Sequence, residues 1–96
     1  DPGPLVTDDD RACVRFALEW SSHFVASVRY RSSTCATLLA YCELACELIA
    51  GKSREDLASL RALDLQALLP EVPPARRSRS ELVVRAIQSS VAVSVQ

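Results

Sequence analysis

Between residues 14 and 20 apolar and polar side chains alternate, with Val14, Phe16, Leu18 and Trp20 set against Arg15, Ala17 and Glu19. A period of two predicts a strand with one buried face. Ser21-Ser22-His23 reads as a turn. A second alternating run follows, Val28 and Tyr30 opposed by Arg29 and Arg31, after the apolar Phe24-Val25-Ala26. The two runs predict an antiparallel hairpin. At Ser32-Ser33-Thr34 the period changes. Apolar residues now fall at 35, 38, 39, 42, 45, 46 and 49, the spacing of one helix face. This predicts a central helix over 34–50, with Leu39, Cys42, Cys46 and Ile49 buried. Ser33 or Thr34 is placed to cap its start and Gly51 to take the left-handed position past its end.

Downstream, Ser53 with Asp56 three residues on has the form of a capping box, and Leu57, Leu60 and Leu63 supply the inner face of the helix it opens. Asp64 is placed to cap a short turn through Leu68-Leu69, which Pro70 ends. Pro70, Pro73 and Pro74 predict an extended loop. Ser78 and Glu81 repeat the capping-box spacing ahead of a last helix, whose inner face is Leu82, Val83, Ala86, Ile87 and Val91. Strands followed by helices predict an α+β fold, a small antiparallel sheet with the hairpin at its N-terminal side packed against several helices. Residues 1–12, with two prolines, a glycine and Asp8-Asp9-Asp10, read as a flexible lead-in in which one Asp caps a short turn. Residues 13–96 read as a single domain.

Composition narrows the function classes. Ninety-six residues suffice for one core. A net charge of −1 and a pI near 5.8 point away from nucleic acid and from anionic membranes. No apolar run approaches the ~20 residues of a membrane span. The N-terminal stretch shows no basic region followed by an apolar one, the form of a signal peptide. Of the four cysteines, Cys35, Cys42 and Cys46 share one helical pattern, whose geometry does not suit a disulfide between them. Reduced thiols in a cytoplasmic protein are the expectation.

Two blocks carry a family resemblance. One runs Cys35-Ala36-Thr37-Leu38-Leu39-Ala40-Tyr41-Cys42-Glu43-Leu44-Ala45-Cys46-Glu47-Leu48-Ile49-Ala50-Gly51-Lys52-Ser53, the other Val72-Pro73-Pro74-Ala75-Arg76-Arg77-Ser78-Arg79-Ser80-Glu81-Leu82. Together they resemble the IscU/NifU N-terminal family of iron–sulfur assembly scaffolds, which has a Gly-Cys start to a small-residue helix, a Gly-Lys-Ser/Thr helix end, and later Leu-Pro-Pro-Val-Lys-x-His-Cys-Ser. The resemblance spans roughly residues 13–92 and implies a SufE/NifU-like fold. It also implies a cluster or zinc held by three cysteines plus an Asp or His. Cys13 and Cys35 match the first two cysteines, although the Gly-Asp that follows the first in the family is absent here. Ser78 and Arg79 stand where the family has His and Cys.

Arginine cannot ligate a metal, so at most two of the implied thiolates remain. The expectation is no cofactor in the isolated monomer, with a cluster or zinc possible only if outside ligands complete the shell. Two readings fit Cys35: a thiolate favoured by a helix N-terminus, or a small core residue at the head of the apolar stripe. Cys13 is either a reactive thiol, with Arg11 and Arg15 nearby in sequence, or a packed one. Cys42 and Cys46 read as core residues. His23 reads as an exposed turn residue, and neither a catalytic triad nor a phosphate-binding loop is present.

The resemblance therefore implies a non-enzymatic scaffold-like role in cluster biogenesis, accepting sulfur from a cysteine desulfurase, with a degraded ligand set. It also implies a docking segment for a heat-shock chaperone at Val72, Pro73, Pro74, Ala75 and Arg76, which otherwise reads as a rigid connector. A metal-free interaction or regulatory module on the same fold is the alternative. A further one is a SufE-like sulfur acceptor, whose single loop cysteine precedes the first strand, where Cys13 sits.

Overall fold

The alternating runs form the two long strands of a three-stranded antiparallel sheet in a computed structural model, which describes residues 3–7 and 11–93. Strand β1 is Val6–Thr7, β2 is Cys13–Ser21 and β3 is Phe24–Ser32, with β2 in the centre. Val14 opposes Ser32, Phe16 opposes Tyr30 and Leu18 opposes Val28, with a bulge between Glu19 and Trp20. The hairpin turns tightly at Ser22-His23, where Ser22 takes a positive φ of 57°. The hairpin and the α+β class thus follow the sequence pattern. Among the described residues four α-helices follow: α1 (Ala36–Ile49) and α4 (Ser78–Val93) cover one face of the sheet, and α2 (Arg54–Ala58) and α3 (Ala62–Gln66) pack against α4.

The core lies between that face and the helices. Val14, Phe16 and Leu18 from β2 meet Leu38, Tyr41, Cys42, Ala45 and Ile49 from α1 and Leu82, Val83, Ala86 and Ile87 from α4. Each such large apolar side chain contributes roughly 1.5–3 kcal/mol over its exposed state. The Phe16 and Tyr30 rings stand 5.8 Å apart, and the Tyr30 hydroxyl donates to Glu43, tying β3 to α1. Gln88 Nε2 donates to the Leu57, Ala58 and Leu60 carbonyls at 3.1–3.4 Å and fastens α4 to the end of α2 and the turn after it.

Several expectations are corrected. Part of the segment read as lead-in belongs to the sheet: Val6 pairs with Val14, and the Gly3 amide donates to the Phe16 carbonyl at 2.8 Å. Gly3 is required there, because an added Cβ would lie 2.8 Å from Ser90 Cα. The expected cap from Asp8-Asp9-Asp10 lies outside the described residues. Neither Ser33 nor Thr34 caps α1; its N-cap is Cys35. Leu39 is 38% exposed and Cys46 half-buried, because α1 presents this edge to the flank of β3 rather than to the core; Cys42 and Ile49 are buried as expected.

The helix expected from Ser53 onward breaks in two. The Ser53–Asp56 capping box forms, with Asp56 N–H to Ser53 Oγ at 3.2 Å and Ser53 N–H to Asp56 Oδ2 at 3.1 Å. Asp64 then accepts from the Arg61 amide at 2.9 Å and starts α3, which turns Leu63 outward (60% exposed) and buries Leu65. Ser78 lies inside the first turn of α4 rather than ahead of it. Gly51 takes the expected left-handed φ, +80°.

Candidate functional site

The end of the molecule where α1 begins collects most of the polar chemistry. Cys35 has extended backbone angles (φ −117°, ψ 120°), and no side-chain oxygen caps the first turn of α1. The unpaired amides of that turn are therefore left to act on the sulfur. The first turn of α4 brings Arg79 close enough for its guanidinium to lower the Cys35 thiol. Burial pushes the Cys35 thiol up. The Leu38 amide, the Arg79 hydrogen bond, the Thr37 amide and the Arg79 charge act the other way and leave it below the ordinary thiol value. A half-buried thiol whose pKa is lowered by a fixed cation and helix amides is the more readily ionised nucleophile. It also suits an anionic adduct on the sulfur, because the cation cannot lose its charge.

Cys13 is the first residue of β2, not a loop residue ahead of it. Ser33 fixes its backbone: the Cys13 amide donates to Ser33 Oγ at 3.0 Å, and the Ser33 amide to the Cys13 carbonyl at 2.9 Å. The Cys35 amide in turn donates to the Ser33 carbonyl at 2.9 Å. Both cysteines thus sit at one end of the sheet. Strand alternation separates their side chains, since Val14, Phe16 and Leu18 point into the helical layer and Cys13 stands in the opposite row with Arg15 and Ala17. Ser78 is exposed at the start of α4, beside Arg79 in sequence. No group of three or more His, Cys, Asp or Glu side chains arranged to hold a metal ion occurs among the described residues.

The other two cysteines differ in kind. Burial pushes the Cys42 thiol up to about 12 and the Cys46 thiol up to about 11, with neighbouring Glu43 adding to both. They are inert at neutral pH. His23 is exposed in the hairpin turn.

The second expected site, the 72–76 segment, lies on the surface. Val72 is half-buried and packs against the core, whereas Pro73, Pro74, Ala75 and Arg76 are exposed. Pro74–Arg76 form a single 3₁₀ turn, and Arg77 Nε donates to the Val72 carbonyl at 3.3 Å. Of the arginines here, Arg76 and Arg77 are exposed, whereas Arg79 is half-buried and lowers the Cys35 thiol. That influence is what sequence reasoning missed. A cation in place of a ligand reads only as a loss until the fold sets it against a thiol at a helix start.

The chain matches the family model of the NifU-like N-terminal domain over residues 7–94. No curated protein matches it closely. The chain therefore belongs to the NifU-like N-terminal domain family, which points to a role in iron–sulfur cluster assembly. Domains of this family are scaffolds rather than enzymes, and they work with the cluster-assembly machinery. No helix among the described residues is long and apolar enough to cross a membrane.

Proposed function

We propose that this domain serves iron–sulfur assembly as a single-thiol sulfur acceptor, with Cys35 the acceptor and Arg79 its counter-charge. The observation that carries the reading is a half-buried Cys35 at the start of α1 whose thiol the Leu38 and Thr37 amides and the nearby Arg79 cation lower together. The Cys35 thiolate attacks the outer sulfur of a donor persulfide, of the kind a cysteine desulfurase carries. A new S–S bond forms to Cys35, the donor's S–S bond breaks, and the donor leaves as a thiolate. The transferred sulfur keeps its hydrogen, and on ionising it becomes an anion that Arg79 can hold.

On this reading the isolated chain holds neither a cluster nor zinc. Arg79 sets a permanent positive charge where a third thiolate would be needed, and Cys13 lies in the outward row of β2. A thiolate kept reduced suits a reducing compartment such as the cytoplasm. The exposed Pro73-Pro74-Ala75-Arg76 turn, anchored by Val72, supports a second role as the docking segment for a chaperone of the heat-shock type.

The test is incubation of anaerobically purified protein with a persulfide donor, followed by mass spectrometry of the four cysteines and elemental analysis. One added sulfur on Cys35 and no stoichiometric iron or zinc is the expected result. Sulfur on Cys13 instead would favour the SufE-like alternative. No transfer at all would leave the metal-free interaction module, and stoichiometric bound metal would restore a working scaffold.

A further inference from the structure

The helices cover one face of the sheet and leave the other open, and that open face is basic. Its row on β2 is Cys13, Arg15, Ala17 and Glu19, and β3 sets Arg31 directly opposite Arg15 and Arg29 opposite Ala17. Three guanidinium groups thus spring from neighbouring pairs around a shallow cleft of about 350 Å³ lined by Arg15, Ala17, Arg29, Tyr30 and Arg31. Ala17 keeps the middle of the cleft low. Among the described residues Glu19 is the one carboxylate on this face, and the Ser27 hydroxyl donates to it at 2.6 Å. Arg29 and Arg31 are exposed.

An edge strand carrying cations resists unwanted pairing, and Arg29 and Arg31 on β3 serve that end. Arg15 does not. It lies on the central strand directly across from Arg31, a like-charge placement that destabilises a sheet. A bound anion would relieve that repulsion.

We propose that this face docks an extended acidic segment of a partner protein, its carboxylates taken by Arg15, Arg29 and Arg31. Two features select an acidic polypeptide. Arginine forks bind carboxylates in pairs of parallel hydrogen bonds. The arginines on β3 are two residues apart, roughly 7 Å, which is the repeat of alternate side chains along an extended peptide. The chain as a whole carries a net charge of −1, which does not favour a nucleic acid. The proposal stands apart from sulfur transfer, since Cys35 and Arg79 lie on the helical side.

The test uses the full chain and a labelled peptide with glutamate at alternate positions. Its comparators are the same peptide with glutamine and a single-stranded oligonucleotide of equal charge. The glutamate peptide should bind at low salt and weaken steadily as salt rises. The double variant R29Q/R31Q should lose at least about tenfold in affinity, while R76Q/R77Q, which removes the same charge elsewhere, should change it less than about twofold. R15Q should raise the melting temperature of the free protein at low salt and shrink the rise that the peptide causes. Equal losses in the two double variants, tighter binding of the oligonucleotide, no peptide binding, or a lowered melting temperature in R15Q would each overturn the proposal.

Discussion

Cys35 and Cys42 stand about two turns apart on the same helix-forming segment, and both belong to one apolar stripe. The fold gives them opposite chemistry. At the start of α1 the free amides and Arg79 hold the Cys35 thiol below its ordinary value, whereas burial in the middle of α1 drives Cys42 up to about 12. The difference lies in what arrives from elsewhere in the chain. Cys42 is fully buried in a core built by β2, α1 and α4, while Cys35 meets the polar first turn of α4. One residue type thus serves as filler or as nucleophile depending on its distance from a helix end.

The strongest way to break this comparison is brief alkylation of the native protein at pH 7, read cysteine by cysteine. A thiol near 12 is ionised in roughly one molecule in 10⁵ at that pH, against more than about one in 100 for a thiol below 9. Cys35 should therefore react at least about 1000-fold faster than Cys42, with Cys46 close to the slow end. Comparable rates would dissolve the contrast on which the sulfur-acceptor reading rests.

The same substitution at the two positions gives the next largest effect. Cys42→Ser puts a hydroxyl into an apolar core and should cost roughly 1–3 kcal/mol. Cys35→Ser places a good cap residue at an N-cap and should leave stability unchanged or raise it by up to about 1 kcal/mol. Denaturant melts of the two variants measure both. Equal losses would show that Cys35 is a packed residue after all.

Much of this architecture was legible along the chain, and the failures share a cause. The hairpin, the Ser53–Asp56 box, Gly51 and the inner face of α4 rest on local pattern, and local pattern finds them. The exposure of Leu39 does not, because β3 is an edge strand and α1 overhangs its flank there. Nor does the split between α2 and α3. Asp64 binds back to the Arg61 amide, and the Leu57, Ala58 and Leu60 carbonyls around the break accept from Gln88, distant in sequence. At the site the two blocks single out Cys35 and Arg79 one by one, without relating them. Only the tertiary structure brings Arg79 near enough to the Cys35 thiol to lower it.

Arg79→Gln sharpens the role of that proximity. It removes the charge and keeps a donor, so the Cys35 thiol should move up toward its ordinary value. The alkylation rate at pH 7 should fall, by up to about tenfold. The pH profile of the rate should shift upward with it, a change that a merely structural arginine would not produce. An unmoved profile would assign the lowered value to the helix end alone. The companion double variant S78H/R79C tests the lost ligand set directly: it should gain zinc affinity if Cys13 and Cys35 can converge, and gain none if the strand keeps Cys13 turned away.

The smallest effect is on stability at alkaline pH, and its sign differs between the two cysteines. Cys42 titrates near 12 when folded, well above the ordinary thiol value of 9.0, so its contribution is complete below that ordinary value and is lost as pH rises toward 12. Between pH 8 and pH 9 that loss is under about 1 kcal/mol. Cys35 runs the other way. Its folded value lies below the unfolded one, so its contribution is present above the unfolded value and is lost as pH falls through the folded one. Cys42→Val should therefore flatten the decline in unfolding free energy from pH 8 to pH 9, and Cys35→Ser should steepen it slightly. Chemical denaturation of the three proteins at both pH values gives the slopes, and parallel lines for all three would mean that neither thiol is coupled to folding.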